Sequence, residues 1–287
     1  MKRGAALVVA AAFGALAFTA QAQTPTSMPK DASWSLRLPK DEKVVYRGLA
    51  SFDAAGAGGM QMMYPAPNLL VGIAAVLTHA AVASEAQDRQ KRQIQETADR
   101  VLQRYQPVLG AYQNRELMQA GLAKLSGGGT KKLIAADAKA EGEWLLVSAP
   151  EFAMTQDQRA IILDNTILIF APRAGETPTS QTVVRVVSRP TESDDLFEFW
   201  TGNEGRGLKE ESAALFAHSL EIALNGASAG SRESGAQRTH RYMIGGTERM
   251  ERAELLDDQC NRLVLRTLRG GLLSIPARDA QPDCKPQ

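Results

Sequence analysis

Residues 226–230 read Gly-Ala-Ser-Ala-Gly, the G-x-S-x-G spelling of a nucleophile elbow with Ser228 in the place of the attacking hydroxyl. An elbow strains its serine between a strand and a following helix, so that the hydroxyl stands above a parallel sheet. Here a helical pattern precedes the serine, a Gly/Ser-rich stretch (227–235) follows it, and His240 comes before Asp257. The Ser, Asp, His order of that fold is therefore not met. A helix end with a flexible linker accounts for the same letters. A serine hydrolase at Ser228 is kept as an alternative only.

Ser126-Gly127-Gly128-Gly129-Thr130-Lys131-Lys132 pairs glycines with cations, as a phosphate cradle does. It departs from G-x-x-x-x-G-K-[ST] and no strand precedes it, so it reads as a plain loop. His79, His218 and His240 are far apart in sequence. His79 and His218 lie on or beside apolar helical faces and read as core imidazoles rather than ligands. Asp194-Asp195 and Asp257-Asp258 are paired acids at expected turns, where a short acid bonds nearby backbone. A glycosidase would need two carboxylates held across a cleft, which spacing alone does not supply. The sequence thus assigns no catalytic residue, no metal and no cofactor.

Cys260 and Cys284 are the two thiols of the chain. In an oxidising compartment they are candidates for a disulfide. It would close a loop of about 25 residues, worth roughly 3 kcal/mol in the loop-entropy view. Export is what the N-terminus predicts: Lys2 and Arg3 form a positive head, 5–18 is apolar and uncharged, and Ala20-Gln21-Ala22 is a small-x-small cleavage pattern. No cysteine follows it closely, so an N-terminal lipid anchor is not expected. Loss of Lys2 and Arg3 with the leader takes the net charge from +1 to −1. A nearly neutral chain lacks the basic footprint that nucleic acid requires. With 44% hydrophobic residues a folded domain is expected rather than a disordered chain.

The elements that must position these groups follow from periodicity. Residues 23–33 read as a mobile leader, and order is expected from Trp34, where Trp34-Ser35-Leu36-Arg37-Leu38 alternates like a half-buried strand. Val44-Val45-Tyr46 is a second β-prone run. Residues 68–105 hold no proline, which predicts one long helix of about 57 Å ended by Pro107. Its stretch 69–83 is apolar nearly all round, whereas Ile94, Ala98, Val101, Leu102 and Tyr105 form one stripe. At about 22 Å the apolar stretch is shorter than a bilayer core of about 30 Å. Leu69, Leu70, Ile73, Val76, Leu77 and Val82 are the residues assigned to a membrane or helix–helix contact, with Gly72, Ala75 and Ala83 small enough for close approach. A partner helix is expected at 114–125, and strands at 144–148, 160–170 and 182–187 in an antiparallel meander, with 196–200 as one more strand. A helix at 208–225 capped by Gly226 should cover that sheet, and four short strands at 240–244, 249–256, 262–268 and 272–275 close the chain.

The helix Asn68–Val82 (NLLVGIAAVLTHAAV) with its charged continuation, the central meander and the closing RLVLRTLRGGLLSIP resemble an uncharacterised group of proteobacterial exported proteins, some of them lipid-anchored. The resemblance implies the cell envelope and brings no activity or site residues with it.

The expectation is an α+β protein with a signal peptide at 1–22, a mobile leader at 23–33, a main domain at 34–235, a small β unit at 236–278 and a tail at 279–287. Its expected role is that of a non-catalytic periplasmic or envelope-associated protein acting through contacts with an envelope partner. Docking on the membrane through 69–83 and self-association are the alternative contacts.

Overall fold

The computed structural model describes residues 27–51, 85–140, 142–173, 175, 177–228, 235–259 and 261–277. Its strands are β1 (Trp34–Arg37), β2 (Val45–Gly48), β3 (Lys131–Ile134), β4 (Trp144–Met154), β5 (Ile161–Phe170), β6 (Ser180–Val187), β7 (Gln237–Ile244), β8 (Thr247–Gln259), β9 (Arg262–Thr267) and β10 (Leu272–Pro276). The helices are α1 (Glu85–Asp99), α2 (Gln106–Leu109), α3 (Asn114–Lys124) and α4 (Leu196–Ser228), with a 3₁₀ stretch, Arg100–Tyr105, between α1 and α2.

All ten strands join one sheet in the order β3-β1-β4-β5-β6-β10-β9-β8-β7, with β2 beside β4. The α+β class is met, but the sheet dominates and is mixed rather than antiparallel. Strands β4, β5 and β6 form the expected meander, whereas β1 pairs in parallel with β3 and β4, β2 with β4, and β10 with β6. Parallel pairs need long crossovers. The chain supplies them between β2 and β4, through α1 to α3, and between β6 and β10, through α4 and the hairpins.

One edge of β4 is shared: β1 pairs with Trp144, Leu145, Leu146 and Val147, and β2 with Glu151, Phe152, Ala153 and Met154. Pro150 falls in the gap between them, where that edge has no partner strand to lose a bond to. The four C-terminal strands continue the same sheet through the β6–β10 pair, with Leu272 opposite Val184 and Leu273 opposite Arg185.

Alternation along the strands makes two cores. Leu146, Phe152, Met154, Leu163 and Val184 face the helices and pack with Leu117, Met118, Phe216 and Leu220. Ala153, Ile162, Val187, Leu265, Leu273 and Ile275 face the other way and pack with Tyr242, Ile244 and Ala253 of the β7–β8 hairpin. The hairpin therefore curls back over the meander. Its tip is fastened there: Gly246 N–H donates to Asp157 Oδ2 at 2.6 Å, in the β4–β5 turn.

Several expectations are corrected. Helix α1 runs on into the 3₁₀ stretch and α2, so Pro107 does not end a helix; it sits at the first turn of α2, where its missing N–H costs nothing. Residues 196–200 are helix, not strand, because Asp195 Oδ1 accepts the Glu198 N–H at 3.0 Å and caps α4. Gly226 lies inside α4 rather than beyond its end. Asp257 and Asp258 lie within β8, where a bulge between Leu255 and Asp257 shifts the register. Residues 27–33 belong to the folded body: Met28 is buried in the main core. Residues 1–26, 52–84, Cys260 and Cys284 lie outside the described residues, so the leader, the apolar stretch and the disulfide are not part of this description.

Candidate functional site

Helix α4 begins as a short amphipathic segment. Trp200 is buried and its Nε1–H donates to the Gln158 carbonyl at 2.7 Å. Phe197 packs edge-on to Tyr105 at 5.4 Å and carries the Arg104 guanidinium 3.9 Å above its ring. The Tyr105 hydroxyl donates to Gln158 Oε1 at 2.6 Å. Burial raises the Tyr105 phenol above its usual range, so it remains a donor. The segment is thus pinned to the 3₁₀ stretch and to the β4–β5 turn. Its opposite side carries Phe199, 45% exposed and edge-on to Trp200.

The helix then breaks. Gly202 is extended, and Asn203 (φ 52°, ψ 52°), Glu204 (φ 61°, ψ 31°) and Gly205 (φ 79°, ψ 26°) form three consecutive left-handed residues. Gly205 is required twice: its φ is positive, and a Cβ there would lie 2.2 Å from Val108 Cγ1. Asn203 and Glu204 have no such licence and cost about 1–2 kcal/mol each in this conformation, Asn less than Glu. A Cβ at Gly207 would lie 2.4 Å from the Phe199 carbonyl, so the two parts of α4 approach closely.

Beyond the break, α4 is held between α3 and the sheet. Lys209 Nζ is 3.0 Å from Glu116 Oε1, the Tyr112 hydroxyl donates to the Lys209 carbonyl at 3.3 Å, and Gly121 lets the Phe216 ring lie against α3. On the sheet side Asn165 Nδ2 donates to Ser219 Oγ at 2.8 Å, and Tyr46 bonds Ser212. Burial pushes the Tyr46 and Tyr112 phenols well up, so both stay protonated.

Two open clefts flank the break. One, of about 420 Å³, lies against α3 and is lined by Tyr112, Glu116, Lys124, Glu204 and Lys209. The other, of about 500 Å³, is lined by Ser193, Asp195, Glu198, Phe199 and Gly207. Asn203, Arg206 and Glu210 border both and form the ridge between them. Enclosed, mostly apolar cavities suit small molecules. These clefts are open and charge-lined, with one exposed aromatic ring and one arginine at the ridge. Among the described residues their linings hold no serine–histidine or cysteine–histidine pair to activate a nucleophile.

Comparison with family models, with curated proteins and with solved structures finds no match to this chain.

The other groups singled out in the sequence are placed separately. Ser228 is the last residue of α4, and its Oγ lies 2.9 Å from the Leu224 and Met28 carbonyls, an ordinary helix-end and chain-packing role. His240 lies on β7 with its Nε2 buried and unpartnered, and no hydrogen bond joins it to Ser228 among the described residues. His218 Nε2 is 2.9 Å from Ser274 Oγ on β10, within a network that includes the buried Arg262 guanidinium. Burial lowers Arg262 to about 10, and Glu211 on α4 is the charge that opposes this. Gly128 and Gly129 pack on Asp31 and Ala32, and Lys131 Nζ donates to the Gly127 carbonyl at 3.0 Å, so this turn is filled by its own chain. Leu69, Leu70, Ile73, Val76, Leu77, Val82 and His79 lie outside the described residues.

Sequence reasoning missed Phe199, Asn203, Glu204 and Arg206. Three glycines within six residues, Gly202, Gly205 and Gly207, were the available signal.

Proposed function

We propose that the protein is a non-catalytic, exported component of the cell envelope that acts by binding another protein at the broken turn of α4. The observation that carries this reading is the left-handed run Asn203-Glu204-Gly205, which sets exposed Arg206 on the ridge between two open clefts and exposed Phe199 in the lining of one of them. A continuous helix would avoid the strain at Asn203 and Glu204. Backbone held in such conformations collects at ligand clamps and contact sites, where the surroundings over-determine it. Aromatic rings and arginines are also the residues that dominate interface energies. The envelope part of the reading rests on the leader pattern and the resemblance, and the net charge of the mature chain agrees with a protein partner rather than a nucleic acid.

The combined substitution Phe199→Ala and Arg206→Ala is expected to weaken capture of that partner by at least about 10-fold. Arg206 projects into solvent and Phe199 is half exposed, so unfolding should shift only by the lost Phe199–Trp200 edge contact, about 0.5–1.5 kcal/mol. Affinity purification of the tagged chain from envelope extracts, compared between wild type and variant, measures this. Equal recovery of the same partner by both chains would sink the assignment.

A further inference from the structure

On the second face of the sheet, under the curled hairpin, Glu151, Asp164 and Arg185 stand opposite one another on β4, β5 and β6. Asp164 and Arg185 form a bidentate pair, with Nε donating to Oδ1 and Nη2 to Oδ2, both at 2.6 Å. Glu151 is only 8% exposed and makes no hydrogen bond or ion pair among the described residues. A carboxylate in that position would be desolvated, without a donor, and beside a second carboxylate whose cation is already engaged.

The hairpin lies within reach of the same charges. Tyr242 on β7 feels Arg185, Asp164, and Arg249 and Glu251 of β8, and Glu251 feels Arg185 and Arg269. From β2, Arg47 is the cation that acts on Glu151, although its guanidinium is half exposed and 3.6 Å from Asp99. The row therefore lies where the meander and the curled hairpin meet.

We propose that Glu151 is a proton-operated latch: neutral, it packs beside the Asp164–Arg185 pair, and ionised, it repels Asp164, competes for Arg185 and loosens the β7–β8 hairpin from the meander. Burial, the largest influence, and the Asp164 charge hold the Glu151 carboxyl up at about 7, with Arg47 opposing them. Because the folded value lies above the ordinary carboxylate value of about 4.5, Glu151 favours the fold most at acid pH. That contribution is lost as pH rises through about 7. The fastening at the hairpin tip runs the other way. Asp157 is held below its usual range by hydrogen bonds from Thr155, Gly246 and Arg159 that outweigh its desolvation, so it releases only in acid.

Hydrogen exchange of the β7 and β8 amides in the full chain, corrected for intrinsic rates, tests this between about pH 5.5 and about pH 8.5. Wild type should lose at least about 10-fold in protection at the higher pH, and Glu151→Gln should lose none of it. Glu251→Gln should keep the loss, which separates the two carboxyls, since burial raises Glu251 as well. Protection in wild type that does not fall with pH would overturn the latch whether or not either variant folds. So would a fall that persists in Glu151→Gln, or one abolished by Glu251→Gln.

Discussion

Replacing Arg185 with leucine is expected to lower the free energy of unfolding by about 3–5 kcal/mol in a urea titration at neutral pH. The figure reflects what is left behind more than what is removed. Arg185 and Asp164 side chains are 14% and 6% exposed, and their two hydrogen bonds compensate for burial of both charges. Without the guanidinium, Asp164 stays buried beside Glu151 with no cation on its own row. The double variant Asp164→Leu with Arg185→Leu should recover most of the loss, because an apolar pair of similar size removes both desolvation costs. The apolar residues beside it, Ile162, Val187 and Leu273, provide the surroundings such a pair needs. A single variant that loses less than about 1 kcal/mol would mean that water reaches the pair, as at exposed ion pairs.

The second large effect belongs to the broken turn. Gly205→Ala is expected to cost about 3 kcal/mol, from roughly 1–2 kcal/mol of left-handed strain and a comparable overpacking cost. The added methyl would meet Val108 Cγ1 at 2.2 Å, and Val108 belongs to α2, which is itself held between the 3₁₀ stretch and α4. Combining Gly205→Ala with Val108→Ala separates the two parts. The double variant should regain the overpacking part and keep the strain. If Gly205→Ala is as stable as wild type in urea, the turn is not left-handed in solution and the basis for the contact surface fails.

The fold was legible where pattern and burial agree. The runs at 144–148, 160–170 and 182–187 emerge as β4, β5 and β6 because each is rich in β-branched or aliphatic residues and bounded by turn residues. The four C-terminal strands were legible for the same reason. Parallel pairing of β1, β2 and β10 was not, since register between distant segments leaves no local trace. Lys131 and Lys132 fall in the loop expected at 126–132, and Leu133 and Ile134 have no expected element, because a four-residue strand beside three glycines carries too little periodicity. Leu196 and Phe197 looked like strand because a short apolar run fits either period. What decides the matter is the Asp195 cap, visible only once its bond to Glu198 is formed. The candidate site was the least legible part. The glycines at 202, 205 and 207 announce a break, but that Asn203 and Glu204 share the left-handed turn depends on how α2 and α3 pack on α4. Glu151 carried a faint signal, a lone acid in the apolar run 145–154, and its isolation depends on Arg185 already serving Asp164.

The proposed role puts the surface around Phe199 and Arg206 in contact with a protein partner in the envelope. A photo-crosslinking residue placed at Phe199 in living cells tests it most directly, with the same residue at Met250, 61% exposed on β8, as the comparison. One discrete crosslinked adduct is expected from position 199, in the envelope fraction, lost on Arg206→Glu and not formed from position 250. No adduct from 199, or the same adducts from both positions, would contradict it.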